Sequence, residues 1–199
     1  MADIALYPSS KHLLPEGRLE LSITEERFIR MIKQSLAGER CFALCMLNEF
    51  ETHDDVKKIP AIATEAKIVD FNADENGLLS IVVEGVQLIR ILSIEIEEDG
   101  LLHGPSQAHP QWPEAEIDDE TACLADKLEL FYRTMPEVGA LFPSPNLHSL
   151  TWVCLRWLEV LPLEVHYKQL LLTQDTVILA TRFLLRLLDT DAEPSTELA

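Results

Sequence analysis

The sequence predicts an α+β chain whose first half is rich in strands and whose second half is all helix. Three observations carry that prediction. Up to about residue 98, apolar residues alternate with polar ones, as in "RLELSI" at 18–23, or form short β-branched runs such as "LLSIVVEG" at 78–85, the pattern of strands. From about Asp118 onward they recur at helical spacing, as in "LTWVCLRWLEV" at 150–160 and "ILATRFLLRLL" at 178–188. Between the two lies "GLLHGPSQAHPQWPEAE" at 100–116, with two glycines and three prolines, which predicts a linker. The expected organisation is a β-rich region over 1–99, a linker over 100–117, a helical bundle over 118–188 and an acidic tail over 189–199.

The elements follow in order. "IALY" at 4–7 predicts a short strand, and Pro15, Glu16 and Gly17 predict a turn before the strand at 18–23. Ser22 and Glu25 have the spacing of a capping box, with Thr24 as a second candidate cap. They open a helix over about 25–36 that buries Phe28, Met31 and Ile32, with Leu36 as a further candidate and Gly38 as its left-handed terminator. "CFALCML" at 41–47 is too short for a helix and apolar throughout, hence a strand buried on both faces. "AIATEAKIVDF" at 61–71 is the next strand, and "NADENG" at 72–77 is a turn with Gly77 at positive φ. Two more strands are expected at 78–85 and 86–98, the second presenting Val86, Leu88, Leu92, Ile94 and Ile96 on one face. Their short connections imply antiparallel neighbours. In the helical half, helices are expected over about 118–135 and 147–160, the latter broken by Pro162, then in "LEVHYKQLLL" and "DTVILATRFLLRLL", with Asp175 as a cap.

Composition narrows the function classes. The net charge is -18, from 34 acidic and 16 basic residues. Nucleic-acid binding needs a basic stripe, so neither nucleic acid nor an anionic membrane is an expected partner. The acid gathers between Ile91 and Asp126, where no Lys or Arg occurs. That run reads as a solvated connector or as a surface that steers a basic partner. Four cysteines are too few for a secreted disulfide framework, "MADIALYPSS" lacks the features of a signal peptide, and no apolar run is long enough to span a bilayer. A reducing, cytoplasmic setting is the simplest expectation.

Taken together, the segments resemble the N-terminal substrate-recognition domain of the Lon family of ATP-dependent proteases. The residues that carry the likeness are Tyr7-Pro8, Leu14-Pro15-Glu16-Gly17, Leu19-Glu20-Leu21, Ile23-Thr24-Glu25 and Arg27-Phe28 in the opening. "AKIVDFNADENGLLSIVVEGVQLIRI" at 66–91 is similar to the family's hairpin, and "LPLEVHYKQLLLTQDTVILATRFLLRLL" at 161–188 to its helical part, with the Lys-Gln pair at 168–169. The chain departs from the family pattern at Glu16, within the Pro-Gly turn, at Thr24 and at Leu88-Ile89. The resemblance implies a partly open β-barrel of the PUA-like type with one early helix, followed by a small helical bundle. It also implies binding of unfolded or tagged polypeptides, with no cofactor. A chain of this length has no Gly-Lys pair for a phosphate-binding loop and no room for the family's ATPase or Ser-Lys peptidase modules, so no enzymatic activity is expected.

Other chemistry is sparse. Cys41 and Cys45 read as structural thiols, and Cys123 and Cys154 supply no second pair of metal ligands. His103 and His109 fall in the expected linker, and no Gly-x-Ser-x-Gly elbow is present. The candidate partner-binding residues are Trp112, Trp152 and Trp157. Trp112, between two prolines, is either a plug on the core or an exposed anchor. Trp152 and Trp157 are either core or the lining of an apolar groove. The leading expectation is a polypeptide-recognition module, an adaptor or regulator in proteolysis. The alternative is a small-molecule binder or enzyme that reuses the barrel.

Overall fold

The fold was obtained as a computed structural model, which describes residues 2–47, 59–73 and 79–190. Its chain divides into two compact units: Met1–Gln111 with Pro162–Gln169, and Trp112–Leu161 with Leu170–Ala199.

The first unit is built on seven strands and one helix. The strands are β1 (Ala2–Ser9), β2 (Arg18–Ile23), β3 (Phe42–Met46), β4 (Ile62–Ala73), β5 (Leu79–Ile91), β6 (Glu95–Ile96) and β7 (Leu102–Ala108), and α1 (Glu26–Leu36) lies between β2 and β3. The sheet order is β2-β5-β4-β3-β1-β7-β6, and a further pairing of β5 with β7 closes β5, β4, β3, β1 and β7 into a ring. All neighbours are antiparallel except β1 and β3, which are parallel because α1 carries the chain between them. The mixed α+β architecture with a barrel-like sheet ahead of helices is the expected one.

Closure explains why β3 and the stretch 4–7 of β1 are apolar throughout. Ala5, Phe42 and Leu44 face one buried cluster, which also holds Leu21, Ile23, Ile81, Val83 and the α1 residues Phe28, Met31 and Ile32. Ile4, Leu6, Ala43 and Cys45 face a second cluster with Ala63, Ile89, Ile91 and Leu102. Alternate residues of one strand therefore serve two cores, and neither face is left to water. Helix α1 buries Phe28, Met31 and Ile32, but Leu36 is exposed. Its first turn begins after Glu25 with no side-chain cap, so the capping box from Ser22 does not form. Gly38 has the left-handed φ of 72° that a helix end demands.

Four further readings are corrected. The expected linker at 100–117 contains β7, which pairs with β1, β5 and β6. Pro105 fits a strand because its neighbours supply the ladder, and Gly104 is required because a Cβ there would lie 2.0 Å from the Ser93 carbonyl oxygen. The two strands expected at 78–85 and 86–98 are one strand, β5, with a bulge: Ala66 pairs with Gly85, Glu65 with Gln87, and Val86 is skipped. The bulge takes Val86 off the face of Leu88, which is buried, and because β5 ends at Ile91 the expected face does not run on to Leu92 and Ile96, which are exposed with Val86. Cys41 is exposed and precedes β3, whereas Cys45 is buried. His103 sits in β7 with Nδ1 2.9 Å from the Asp3 carboxylate. Gly77 and the turn around it lie outside the described residues.

The second unit is helical: α2 (Ala122–Thr134), the short α3 (Pro136–Gly139), α4 (Leu150–Val160) and α6 (Ile178–Thr190). The unit boundary falls inside α5 (Val165–Leu172). Helix α2 starts four residues later than expected because Asp118 turns back on Thr121, whose N–H and hydroxyl both donate to its carboxylate. Ser149 caps α4 by accepting the Trp152 N–H at 3.0 Å. Asp175 lies outside α6, which starts at Ile178.

Candidate polypeptide-binding surface

The Pro15 turn locks the barrel before any site can form on it. Gly17 N–H donates to the Leu14 carbonyl at 2.9 Å, which leaves Glu16 at the third turn position with φ of 62°. That position favours glycine. The turn is fastened to the β5 bulge, since Glu16 N–H donates to the Gly85 carbonyl and Gly85 N–H to the Gly17 carbonyl. A Cβ at Gly85 would lie 2.1 Å from the Leu14 oxygen. The family-like Gly85 is thus a site of backbone contact.

Beyond this lock, β5 and β4 run on as a long hairpin with β2 on its flank. Glu84 sits between two cations on its outer face, 2.8 Å from Arg18 and 2.6 Å from Lys67. Partial burial pushes the Glu84 carboxyl up, but the hydrogen bonds from Lys67 and Arg18 outweigh it and hold the group below the usual range. Further along, Val69 is 40% exposed and Phe71 66%. The register between β4 and β5 skips Val69, so that Ile68 pairs with Val83 and Asp70 with Val82. These apolar side chains stand near the end of β4, at and just after the skipped residue. Sequence reasoning missed them. The i, i+2 spacing that marks Glu65 and Lys67 as outward does not carry to Phe71, because the skipped Val69 puts Phe71 opposite Ile81.

The acidic run splits in its use. Arg30 binds Glu97 and, at 2.8 Å, Asp99, while Arg40 binds Glu97 and Asp3. The bonds from Arg40 and Arg30 hold the Glu97 carboxyl below its usual range against a smaller opposing effect of burial. Those acids tie α1, β1 and the β6–β7 turn together and are already matched. A second internal fastening involves the Lys-Gln pair. The side-chain amide of Gln169 accepts from Ile62 N–H at 3.1 Å and donates to the Ile62 carbonyl at 3.0 Å, as a strand would. Lys168 is 1% exposed, and its Nζ lies 2.7 Å from His12 Nδ1. Burial, and then the charge of Lys168, push the His12 imidazole down to about 4, so the ring is neutral and accepts the lysine's hydrogen bond.

All three candidate tryptophans are buried within the helical unit. Trp112 donates its indole N–H to the Gln174 carbonyl at 3.0 Å, and Trp157 donates to the Leu124 carbonyl at 3.0 Å. Trp152 meets Phe142 edge-on at 5.7 Å, and Phe142 stacks on Tyr132 at 5.2 Å. The Arg156 guanidinium, fully buried, sits 5.2 Å from the Trp152 ring and 2.7 Å from the Glu159 carboxylate. The unit's outer surface instead exposes Leu130 and Met135 near the end of α2 and Ile178 and Leu179 at the start of α6.

Among the described residues no cluster of His, Cys, Asp or Glu is arranged to hold a metal ion. Nor is any helix among them long and apolar enough to cross a membrane. Burial raises the Cys45 thiol to about 12 and the Cys154 thiol to about 11, which makes both poor nucleophiles.

Comparison with known proteins gives this architecture its place. The sequence model described as the ATP-dependent protease La (LON) substrate-binding domain matches residues 3–190. No curated protein matches. Among solved structures, the chain is similar to a Lon N-terminal domain protein from Xanthomonas campestris, with 25% identity and a TM-score of 0.69 over 95% of this chain and 98% of that one. It also shares the fold of the N-terminal domain of Mycobacterium avium complex Lon protease, with 17% identity and a TM-score of 0.60 over 92% of this chain and 96% of that one. With the closed strand ring, the glycine-locked bulge and the Lys-Gln fastening all accounted for, the chain belongs to the Lon substrate-binding domain family.

Proposed function

We propose that the chain is a non-enzymatic polypeptide-recognition module that works as an adaptor or regulator in proteolysis, in a reducing cytoplasmic setting. The family match over residues 3–190 carries this reading. The exposed apolar side chains Val69 and Phe71 support it, because unfolded clients differ from folded ones mainly in the apolar surface they offer. Trp112, Trp152 and Trp157 enter as the frame of the binding module: they hold the helical unit in the shape that its partner meets.

The test is a fluorescence-anisotropy titration with reduced, carbamidomethylated lysozyme, which is unfolded and basic, against native lysozyme. Binding of the unfolded form alone, weakened by Val69→Ser with Phe71→Ser, is the expected result. Trp112→Ala is expected to weaken binding only to the extent that it unfolds the helical unit, which circular dichroism reports. Equal binding of native and unfolded lysozyme, or of neither, overturns the reading.

A further inference from the structure

We infer that the outer edge of β4, Lys67–Ala73, takes an extended, basic segment of a client polypeptide as an added strand. This rests on the polypeptide-recognition reading and names how that recognition is made.

The argument starts from the ladder. β5 pairs with β4 from Ile62 to Ala73, but β3 pairs only with Thr64, Glu65 and Ala66. Among the described residues, no strand lies along the other side of Lys67–Ala73. A strand edge presents N–H and C=O groups that require partners. One of them is met locally, since Phe71 N–H donates to the Asp70 carboxylate at 2.8 Å. That bond is a stand-in that an incoming backbone carbonyl can replace, freeing the carboxylate.

The side chains on this edge then select the occupant. Val69 and Phe71 are exposed apolar anchors. Asp70 between them has no cation partner among the described residues, whereas Lys67 is committed to Glu84 at 2.6 Å. The whole chain carries -18, so its field draws in basic segments and repels acidic ones. The same features disfavour a second copy of this chain. Two copies repel each other, and the kink at Val69 stops two rigid edges from pairing in register. An unfolded client segment adapts to the kink, and its backbone bonds give affinity while alternate side chains meet Val69 and Phe71.

The probe is an acetylated, amidated peptide of alternating valine and lysine with the length of Lys67–Ala73. It is compared with the same peptide N-methylated on alternate backbone nitrogens, and with one carrying glutamate for lysine. The unmodified peptide is expected to slow amide hydrogen exchange in β4. N-methylation is expected to weaken binding by about tenfold or more, as loss of two or three hydrogen bonds implies, and the glutamate peptide to bind more weakly still. Phe71→Lys, checked for an unchanged fold by circular dichroism, is expected to reduce affinity for the unmodified peptide. Equal binding of the N-methylated peptide, or exchange protection confined to other elements, overturns strand addition while leaving polypeptide recognition intact. Failure of unfolded lysozyme to bind at all overturns the recognition reading itself.

Discussion

The two units hold their charges and their shape in opposite ways. The barrel unit sets its ion pairs at the rim, where Arg30 is 36% exposed while it binds Glu97 and Asp99, and holds its one fully buried cation among the described residues, Lys168, against the neutral His12. The helical unit buries Arg156 completely, against Glu159 and the Trp152 and Phe142 rings. The barrel is shaped by backbone against backbone, at Gly85 and Gly104, and the helical unit by ring against ring. The difference teaches where each unit is fragile. A backbone contact has no room for even one methyl group, a buried ion pair has no tolerance for losing one partner, and a rim ion pair has water to fall back on.

The largest expected effect breaks the barrel side of that comparison. In Gly85→Ala the new Cβ meets the Leu14 oxygen at 2.1 Å, and neither backbone can retreat without opening the turn. A loss of about 4 kcal/mol or more is expected, at the diagnostic end of single substitutions, read as a shift in the urea midpoint or as failure to fold. Arg156→Ala comes next, on the helical side. It takes from the largely buried Glu159 carboxylate a cation at 2.7 Å and from the Trp152 ring its guanidinium, and about 3 kcal/mol should be lost. The same substitution at the exposed Arg30 should cost about 1 kcal/mol or less, and less in high salt. Equal losses at Arg156 and Arg30 in urea titrations would erase the distinction between buried and rim pairs.

The third effect is a pH dependence inside the barrel unit. His12 has a folded-state value of about 4 against an ordinary 6.5. Above pH 6.5 it is neutral folded and unfolded, and contributes no slope. As pH falls from 6.5 to 4, the unfolded chain takes up a proton that the folded chain refuses, so stability drops, by roughly 2 kcal/mol for this half-buried ring. Below 4 the slope ends. The chain carrying His12→Gln, which keeps a polar partner for Lys168, should lose that slope when midpoints are compared across pH. The smallest effect is a gain. Glu16 holds φ of 62° at an exposed turn position, and Glu16→Gly should stabilise the barrel by about 0.5–1 kcal/mol, visible as a slightly higher melting temperature.

Much of the fold was legible because it rests on local pattern. "RLELSI", "CFALCML" and the Phe28, Met31, Ile32 stripe each carry a period that a strand or helix imposes. β7 was not legible: Gly104 and Pro105 look like loop residues, and only the neighbouring β1 and β5 make a strand of them. The exposed pair Val69 and Phe71 was not legible, because the residue skipped at Val69 breaks the alternation that would have placed them. The tryptophans could not be placed from sequence, because an indole between prolines is equally at home on a surface or in a core.

What the sequence by itself determined was the order of strands and helices, the excess of acid, and the family likeness, all properties of the chain read along its length. Tertiary structure alone decided which charges are matched, which glycines are indispensable and which apolar side chains meet water. Arg30 finds Glu97 and Asp99, Gly85 finds Leu14, and Lys168 finds His12 across long stretches of chain. Such pairings have no local period to betray them, because they are set by the closure of the barrel rather than by the residues beside them.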